Sequence, residues 1–376
     1  MKIISIVGAR PNFMKVAPFC KALAQYPEVK HILVHTGQHY DVRMSDSFFV
    51  DLGIPEPDYH LNIGSGSHAE QVGKTMIEFE KVVKKENPDW IVVIGDVNAT
   101  CACSIVAKKE HVKLAHIEAG LRSGDMDMPE EVNRLVTDRL ADLLFTPDRI
   151  SNSNLAKEGV PESKIAFVGN IMIDTLESQR AKAEKLDVNG IVQKELLIAG
   201  EIPTLQDGNF AAITMHRPSN VDQLDTFGPL VNFLTDEVAL DMPLLWPIHP
   251  RARKQLETFG LWDKVLATKN LVLLNPLGYH EMLRLNMGAK LMLTDSGGLQ
   301  EECCVLGTPC LTLRWNTERP VTLREHGGAS MLVGNDIVKI RTAYRDVMSS
   351  PRQPQRPELW DGHTAERIAK IMVTAK

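Results

Sequence analysis

Three acidic residues stand where a short apolar run ends or a helix begins. They are Asp96 in Gly95-Asp96-Val97-Asn98-Ala99-Thr100, Glu118 in His116-Ile117-Glu118-Ala119-Gly120-Leu121-Arg122, and Glu130 in Met128-Pro129-Glu130-Glu131-Val132-Asn133-Arg134. Carboxylates after successive elements of one sheet can share general-acid and general-base work, one holding a proton while another accepts one. Singly, each has a plainer reading. Asp96 suits a helix N-cap and Glu130 a first-turn partner of the helix dipole. Glu118, between strand residues and a glycine turn, is harder to read as solvated decoration.

A second set of residues suits an anion. Gly8-Ala9-Arg10-Pro11-Asn12-Phe13-Met14-Lys15 follows an apolar run and sets Arg10 and Lys15 at a helix start, where backbone N–H groups already favour negative charge. It is neither a GxGxxG nor a GxxxxGK sequence, which argues against nicotinamide dinucleotide binding and P-loop chemistry. Thr214-Met215-His216-Arg217-Pro218 and Pro247-Ile248-His249-Pro250-Arg251 each end an apolar run on a histidine near an arginine. The most specific segment is Thr294-Asp295-Ser296-Gly297-Gly298-Leu299-Gln300-Glu301-Glu302. Ser296 is expected to cap a helix, Gly297 and Gly298 to let backbone N–H groups approach a diphosphate, and Glu302 to accept from ribose hydroxyls. Arg319, in Asn316-Thr317-Glu318-Arg319-Pro320, supplies a further loop cation.

The elements that must position these residues alternate. Apolar runs at 3–7, 32–36, 90–94, 114–117, 143–145 and 165–168 predict strands, with helices near 15–25, 69–85, 100–109, 130–141 and 151–158. After a helix at 170–185 and a polar connector at 187–208, strands are predicted again at 210–215, 244–248, 271–274, 291–293 and 310–313. Short buried strands alternating with helices imply parallel, doubly wound sheets. The expected architecture is α/β: a Rossmann-like domain over 1–169, a second over 170–357, and a helix within 358–376 that crosses back to the first. Ligands of such sheets lie beyond the carboxyl ends of the strands, so two domains facing a cleft would bring the motifs to it.

A chain of 376 residues is long enough for two such cores. The net charge of −6, with no basic run longer than Lys84-Lys85, argues against a nucleic-acid partner. No apolar stretch approaches a membrane span, and Met1-Lys2 leads straight into a strand rather than a signal core. The six cysteines match no zinc or redox spacing; free, buried thiols and a reducing compartment, the cytoplasm, are expected.

Seven motifs in order across nearly the whole chain, GARPNFMK, GDVNAT, HIEAGLR, PEEVNR, HRPSN, DSGGLQEE and NTERP, resemble those of the non-hydrolysing UDP-N-acetylglucosamine 2-epimerase family. The resemblance implies the glycosyltransferase-B arrangement of two Rossmann-like domains, a homodimer, and conversion of UDP-GlcNAc to UDP-ManNAc without NAD or a catalytic metal. It implies catalytic roles for Asp96, Glu118, Glu130 and His216, the three carboxylates serving as acids and bases. Arg10, Lys15, His216, Ser296, Gly297, Gly298, Glu302 and Arg319 would hold the nucleotide and diphosphate. In the family, UDP leaves across C1–C2 to give a 2-acetamidoglucal, and readdition to the other face inverts C2.

Two departures bear on the substrate. The branch regulated by its own substrate carries a Gln-rich segment after TGQH, where this chain has His39-Tyr40-Asp41-Val42-Arg43-Met44-Ser45-Asp46, and the connector from Ser123 to Met128 is short. Both look more like a branch that includes epimerases of 2,3-diacetamido uronic acid nucleotides. Rival readings are a hydrolysing 2-epimerase that releases ManNAc, a retaining glycosyltransferase on the same fold, and a non-catalytic nucleotide-sugar sensor.

Overall fold

Strands that are apolar throughout, rather than alternating, are those covered on both faces. In a computed structural model of the chain, Trp90–Ile94 (β4) is such a strand, buried at all five positions, and Lys2–Val7 (β1) is buried from Ile3 onward with Ser5 its one polar interruption. The structure describes every residue except 9, 38–51, 199, 201 and 376, and omits the side chains of Arg10 and Pro11. The segment His39 to Asp46 therefore lies outside the described residues, as does the Arg10 side chain.

The chain divides into two compact units, Met1–Ser178 with Pro357–Lys376, and Gln179–Arg356. The sequence division at 169/170 precedes the helix Ile171–Glu184, and the units part within that helix.

In the first unit, β1 and β4 join Lys30–His35 (β2), Tyr59–His60 (β3), Lys113–Ile117 (β5), Leu143–Thr146 (β6) and Ile165–Phe167 (β7). The order is β3-β2-β1-β4-β5-β6-β7, parallel throughout. The order reverses between β1 and β4, so the crevice of this sheet opens beyond those two strands. The helix after β1 runs Arg10–Leu23 and starts five residues earlier than its apolar pattern suggests, because Pro11 is tolerated in a first turn. The last helix, Thr364–Thr374, packs on Arg10–Leu23 in this same unit. Its start is capped from a distance: Asp174 accepts from the N–H groups of Thr364 and Ala365 at 3.0 and 2.6 Å.

The second unit repeats the plan with Ala211–Thr214 (β8), Leu244–Pro247 (β9), Leu271–Leu274 (β10), Leu291–Thr294 (β11), Cys310–Thr312 (β12) and Ser330–Leu332 (β13). Their order is β10-β9-β8-β11-β12-β13, again parallel, and reverses between β8 and β11. Each unit is thus a Rossmann-like doubly wound sheet, as the alternation predicts.

The segment read as a polar connector contains a helix, Val188–Glu195. Asn189-Gly190 resembles a turn, yet Asp187 caps Gly190 N at 2.9 Å, and Val188, Ile191 and Val192 bury one face. The segment after Ser350 is fastened to the second unit by Arg352, which donates to the carbonyls of Leu306, Asn286 and Ala289. All six cysteines are free and buried, and burial pushes the Cys20 and Cys304 thiols up to about 12, which keeps them protonated and unreactive.

Candidate active site

The β4 strand ends at Gly95, whose φ of +69° belongs to the left-handed region. A Cβ there would stand 3.2 Å from Lys15 Nζ and 3.4 Å from both Asn12 Nδ2 and Glu118 Oε2. Glycine lets these three side chains, from the helix after β1 and the end of β5, close over the turn. Glu118 itself holds φ +74°, a rare backbone state for a residue with a side chain and a strained one. Its N–H and that of Ala119 both bond the Phe145 carbonyl, at 3.1 and 3.0 Å, which fixes the kink. Its carboxylate forms a buried ion pair with Lys15 Nζ, the side chains being 3% and 8% exposed. Lys15, expected beside a diphosphate, is thus engaged by a proposed acid–base group.

Asp96 follows Gly95 but is not a helix cap. The N-cap of Asn98–Lys109 is Val97, with no side-chain bond, and Asp96 Oδ2 pairs instead with Arg134 Nη1. Behind this turn the buried His116 ring spans from Asp138 Oδ1, at 2.6 Å, to the Gly95 carbonyl, at 2.9 Å. Burial works to raise the Asp138 carboxyl, but His116 and Arg122 outweigh it and hold it below the ordinary carboxylate range. Glu130 is exposed in the first turn of Pro129–Leu140, and among the described residues it forms no ion pair. Glu118 comes together with Lys15 and Asn12 at Gly95, while Asp96, the next residue in sequence, turns its carboxylate to Arg134; Glu130 joins neither group among the described contacts.

In the second unit Asp295, fully buried at the end of β11, organises the end of β8. Its Oδ2 accepts from the N–H groups of His216 and Arg217 at 2.9 and 2.8 Å and from Asn220 Nδ2 at 3.1 Å. His216 Nδ1 lies 2.8 Å from Asp295 Oδ1, so Nδ1 carries a proton and the half-exposed ring keeps Nε2 for a ligand. Burial would raise the Asp295 carboxyl; the His216 ring and the two backbone donors overcome it and hold it low.

Ser296 occupies the N-cap position of Gly297–Leu306, but its side chain makes no capping bond, contrary to the expectation. Its own N–H bonds Thr294 Oγ1 at 3.0 Å, and the first-turn N–H groups at Gly297 and Gly298 are left to meet an anion. A Cβ on Gly297 would stand 3.0 Å from Glu318 Oε1 and 3.2 Å from Arg319 Nη1. Arg319 is buried and paired with Glu318 and, at 2.5 Å, with Glu301, while Arg314 reaches Glu318 at 2.5 Å. Two cations and two carboxylates thus balance beneath this helix start.

Glu302 is buried behind them. Burial pushes its carboxyl up to about 7; hydrogen bonds with Tyr279 and Asn286 pull against this, and the Glu301 charge adds to it. The folded value lies above the unfolded one, 4.5. The bound proton therefore stabilises the fold fully below pH 4.5, and that contribution is lost as pH rises through about 7. Glu302→Gln should gain stability on the parent across this window, by at most about 3 kcal/mol. Urea midpoints that stay parallel with pH would show that Glu302 is not a neutral acid.

Sequence reasoning passed over Asp295, although it lies inside a quoted motif, and over Glu131, Arg134 and Asp138. The signal for the last three was their i, i+3, i+7 spacing, where charge fills a helix face that apolar residues ordinarily occupy. Among the described residues no cluster of His, Cys, Asp and Glu could hold a metal ion, and no helix is long and apolar enough to cross a membrane.

Residues 21–373 match the family model for UDP-N-acetylglucosamine 2-epimerase. The chain is 40% identical over 378 residues to a UDP-N-acetylglucosamine 2-epimerase of Methanocaldococcus jannaschii, covering 100% of both chains. It is 39% identical to a UDP-2,3-diacetamido-2,3-dideoxy-D-glucuronate 2-epimerase of Pseudomonas aeruginosa, over 99% of each. Among solved structures, the M. jannaschii enzyme in complex with UDP-GlcNAc and UDP is similar with a TM-score of 0.88, at 40% identity and 99% coverage of both chains. The motifs, the two doubly wound units and these similarities agree, and the chain belongs to the UDP-N-acetylglucosamine 2-epimerase family.

Proposed function

We propose that this enzyme inverts C2 of a UDP-2-acetamido sugar, interconverting UDP-GlcNAc and UDP-ManNAc by loss and readdition of UDP. The observation that carries the reading is the pairing of Glu118 with Lys15 under Gly95, next to Asp96, at the point where the first sheet reverses its order. The M. jannaschii relative bound to UDP-GlcNAc and UDP supports the substrate class. The P. aeruginosa relative, nearly as similar, supports a UDP-2,3-diacetamido uronic acid as the alternative.

No carbonyl in such a sugar acidifies H2. The C1–O bond to the diphosphate must therefore begin to break first, building positive character at C1 that nearby carboxylates stabilise. A carboxylate then takes H2, leaving a C1=C2 double bond. Return of a proton to the other face of C2, with the diphosphate oxygen readding at C1, completes inversion. Asp96, Glu118 and Glu130 are the proposed acids and bases. The nucleotide and diphosphate are assigned to Arg10, Lys15, His216, Ser296, Gly297, Gly298, Glu302 and Arg319. We place the enzyme in the cytoplasm, which six unpaired, buried cysteines support, and as a homodimer, in keeping with the family resemblance.

Turnover of UDP-GlcNAc in deuterium oxide, followed by NMR, tests the chemistry. Deuterium at C2 of UDP-ManNAc is expected. Product that retains its original hydrogen at C2 would rule out exchange through a protein carboxylate. Free ManNAc would favour the hydrolysing reading, and turnover only of a diacetamido uronic acid nucleotide would move the enzyme to that branch. His216→Ala should weaken UDP by about 1.5–3 kcal/mol, the usual worth of a hydrogen bond to a charged group. Unchanged affinity in calorimetry, with the fold intact, would remove His216 from the nucleotide site.

A further inference from the structure

The helix Pro129–Leu140 buries a polar face of Glu131, Arg134, Thr137 and Asp138, each no more than 2% exposed. Glu131 is anchored first: its carboxylate accepts from the N–H groups of Ser123 and Gly124 at 3.0 and 2.9 Å. It then grips Arg134, whose Nε and Nη2 donate to Glu131 Oε2 at 3.0 and 2.6 Å. The remaining arm of the guanidinium, Nη1, donates to Asp96 Oδ2. The neighbouring Asn133 Nδ2 donates to the Asp96 carbonyl at 2.9 Å. Consecutive residues of one helix thus hold both the main chain and the side chain of Asp96, whose side chain stays 25% exposed.

We propose that Arg134, itself fixed by Glu131, is the positioning residue of Asp96: it pins one oxygen of that carboxylate, leaves the other open to solvent, and acts on the reaction only through it. The residue type matters. A guanidinium does not release its proton at neutral pH, and its planar fork serves two carboxylates at fixed angles, which an ammonium cannot copy. The partner of Glu118, in contrast, is a lysine. Asp96 is thereby held in one orientation, with a single oxygen left open.

The proposal rests on the 2-epimerase reading, and its test is a double-mutant cycle. Arg134→Gln and Arg134→Lys are made alone and on Asp96→Asn, and kcat, KM and UDP affinity are measured. Arg134→Gln should lower kcat about 100-fold at unchanged KM, because the carboxylate loses the anchor that orients it. Arg134→Lys, which keeps the charge but not the fork, should recover part of that loss and lower kcat only about tenfold. Neither should weaken UDP. On Asp96→Asn, each should cost less than about twofold more, since the group they act through is gone. Losses that multiply fully with Asp96→Asn, or a raised KM at unchanged kcat, would overturn the assignment. If Arg134→Gln does not fold, Arg134→Lys completes the cycle alone. A parent that turns over no UDP-2-acetamido sugar overturns the epimerase reading itself, and this proposal with it.

Discussion

Glu118→Gln is expected to lose about 10²–10⁴-fold in turnover, the usual contribution of a positioned acid–base group. The amide keeps the length of the side chain and the backbone at φ +74°, so the loss reports chemistry rather than shape. It also strands the Lys15 ammonium, whose side chain is only 8% exposed. Removing one partner of a buried pair typically costs about 3–5 kcal/mol, because the other charge stays desolvated. The single variant should therefore be both inactive and less stable. Lys15→Met combined with Glu118→Gln removes both charges and should recover much of that stability without recovering turnover. A double variant as unstable as the single one would mean that Lys15 is not the cation Glu118 neutralises. Parent-like turnover in Glu118→Gln would take this carboxylate out of the mechanism.

Asp295→Asn should produce a loss of similar size from the second unit. Asp295 accepts from His216 N, Arg217 N, Asn220 Nδ2 and the His216 ring. An amide offers one oxygen and turns an NH2 group towards donors, so at least one buried donor is left without an acceptor, at about 1–3 kcal/mol. The His216 ring also loses the partner that fixes its protonated nitrogen, and turnover should fall about 10²–10⁴-fold. The pH dependence has a definite sign. A carboxyl held below its unfolded value of 3.8 contributes stability above that pH and loses it as pH falls through the folded value. The stability gap between parent and variant should therefore be constant near neutrality and narrow only in acid below about pH 4. A gap that narrows towards alkaline pH instead would contradict an ionised Asp295.

The sheets were legible because burial on both faces leaves a plain mark: β4 is five apolar residues in a row. β3, two residues long, and β13, three, carry too little sequence for such a mark. The helix Val188–Glu195 was hidden by an Asn-Gly pair that a capping aspartate overrides. The site divides in the same way. Gly95, Glu118 and the Ser-Gly-Gly turn were visible because strand ends followed by glycines expose function. The supports were not. Glu131, Arg134 and Asp138 look like surface charges until the fold supplies Ser123, Asp96 and His116 as partners. Ser296 looks like a cap from its position alone, yet its side chain makes no capping bond.

The helix Thr364–Thr374 sets an order of events during synthesis. It belongs to the same unit as residues 1–178, where Trp360, Ile368 and Met372 are buried and Trp360 Nε1 bonds the Pro147 carbonyl at 2.9 Å. As the chain leaves the ribosome, the segment 179–356 emerges whole before the opening unit receives its last piece. The later-encoded unit can thus close first, while the acid-bearing one waits with the face of Arg10–Leu23 that this helix packs on uncovered. A polypeptide halted before Pro357 would therefore hold an intact second unit beside an unfinished first, a species that chaperones and proteases would meet before any substrate did.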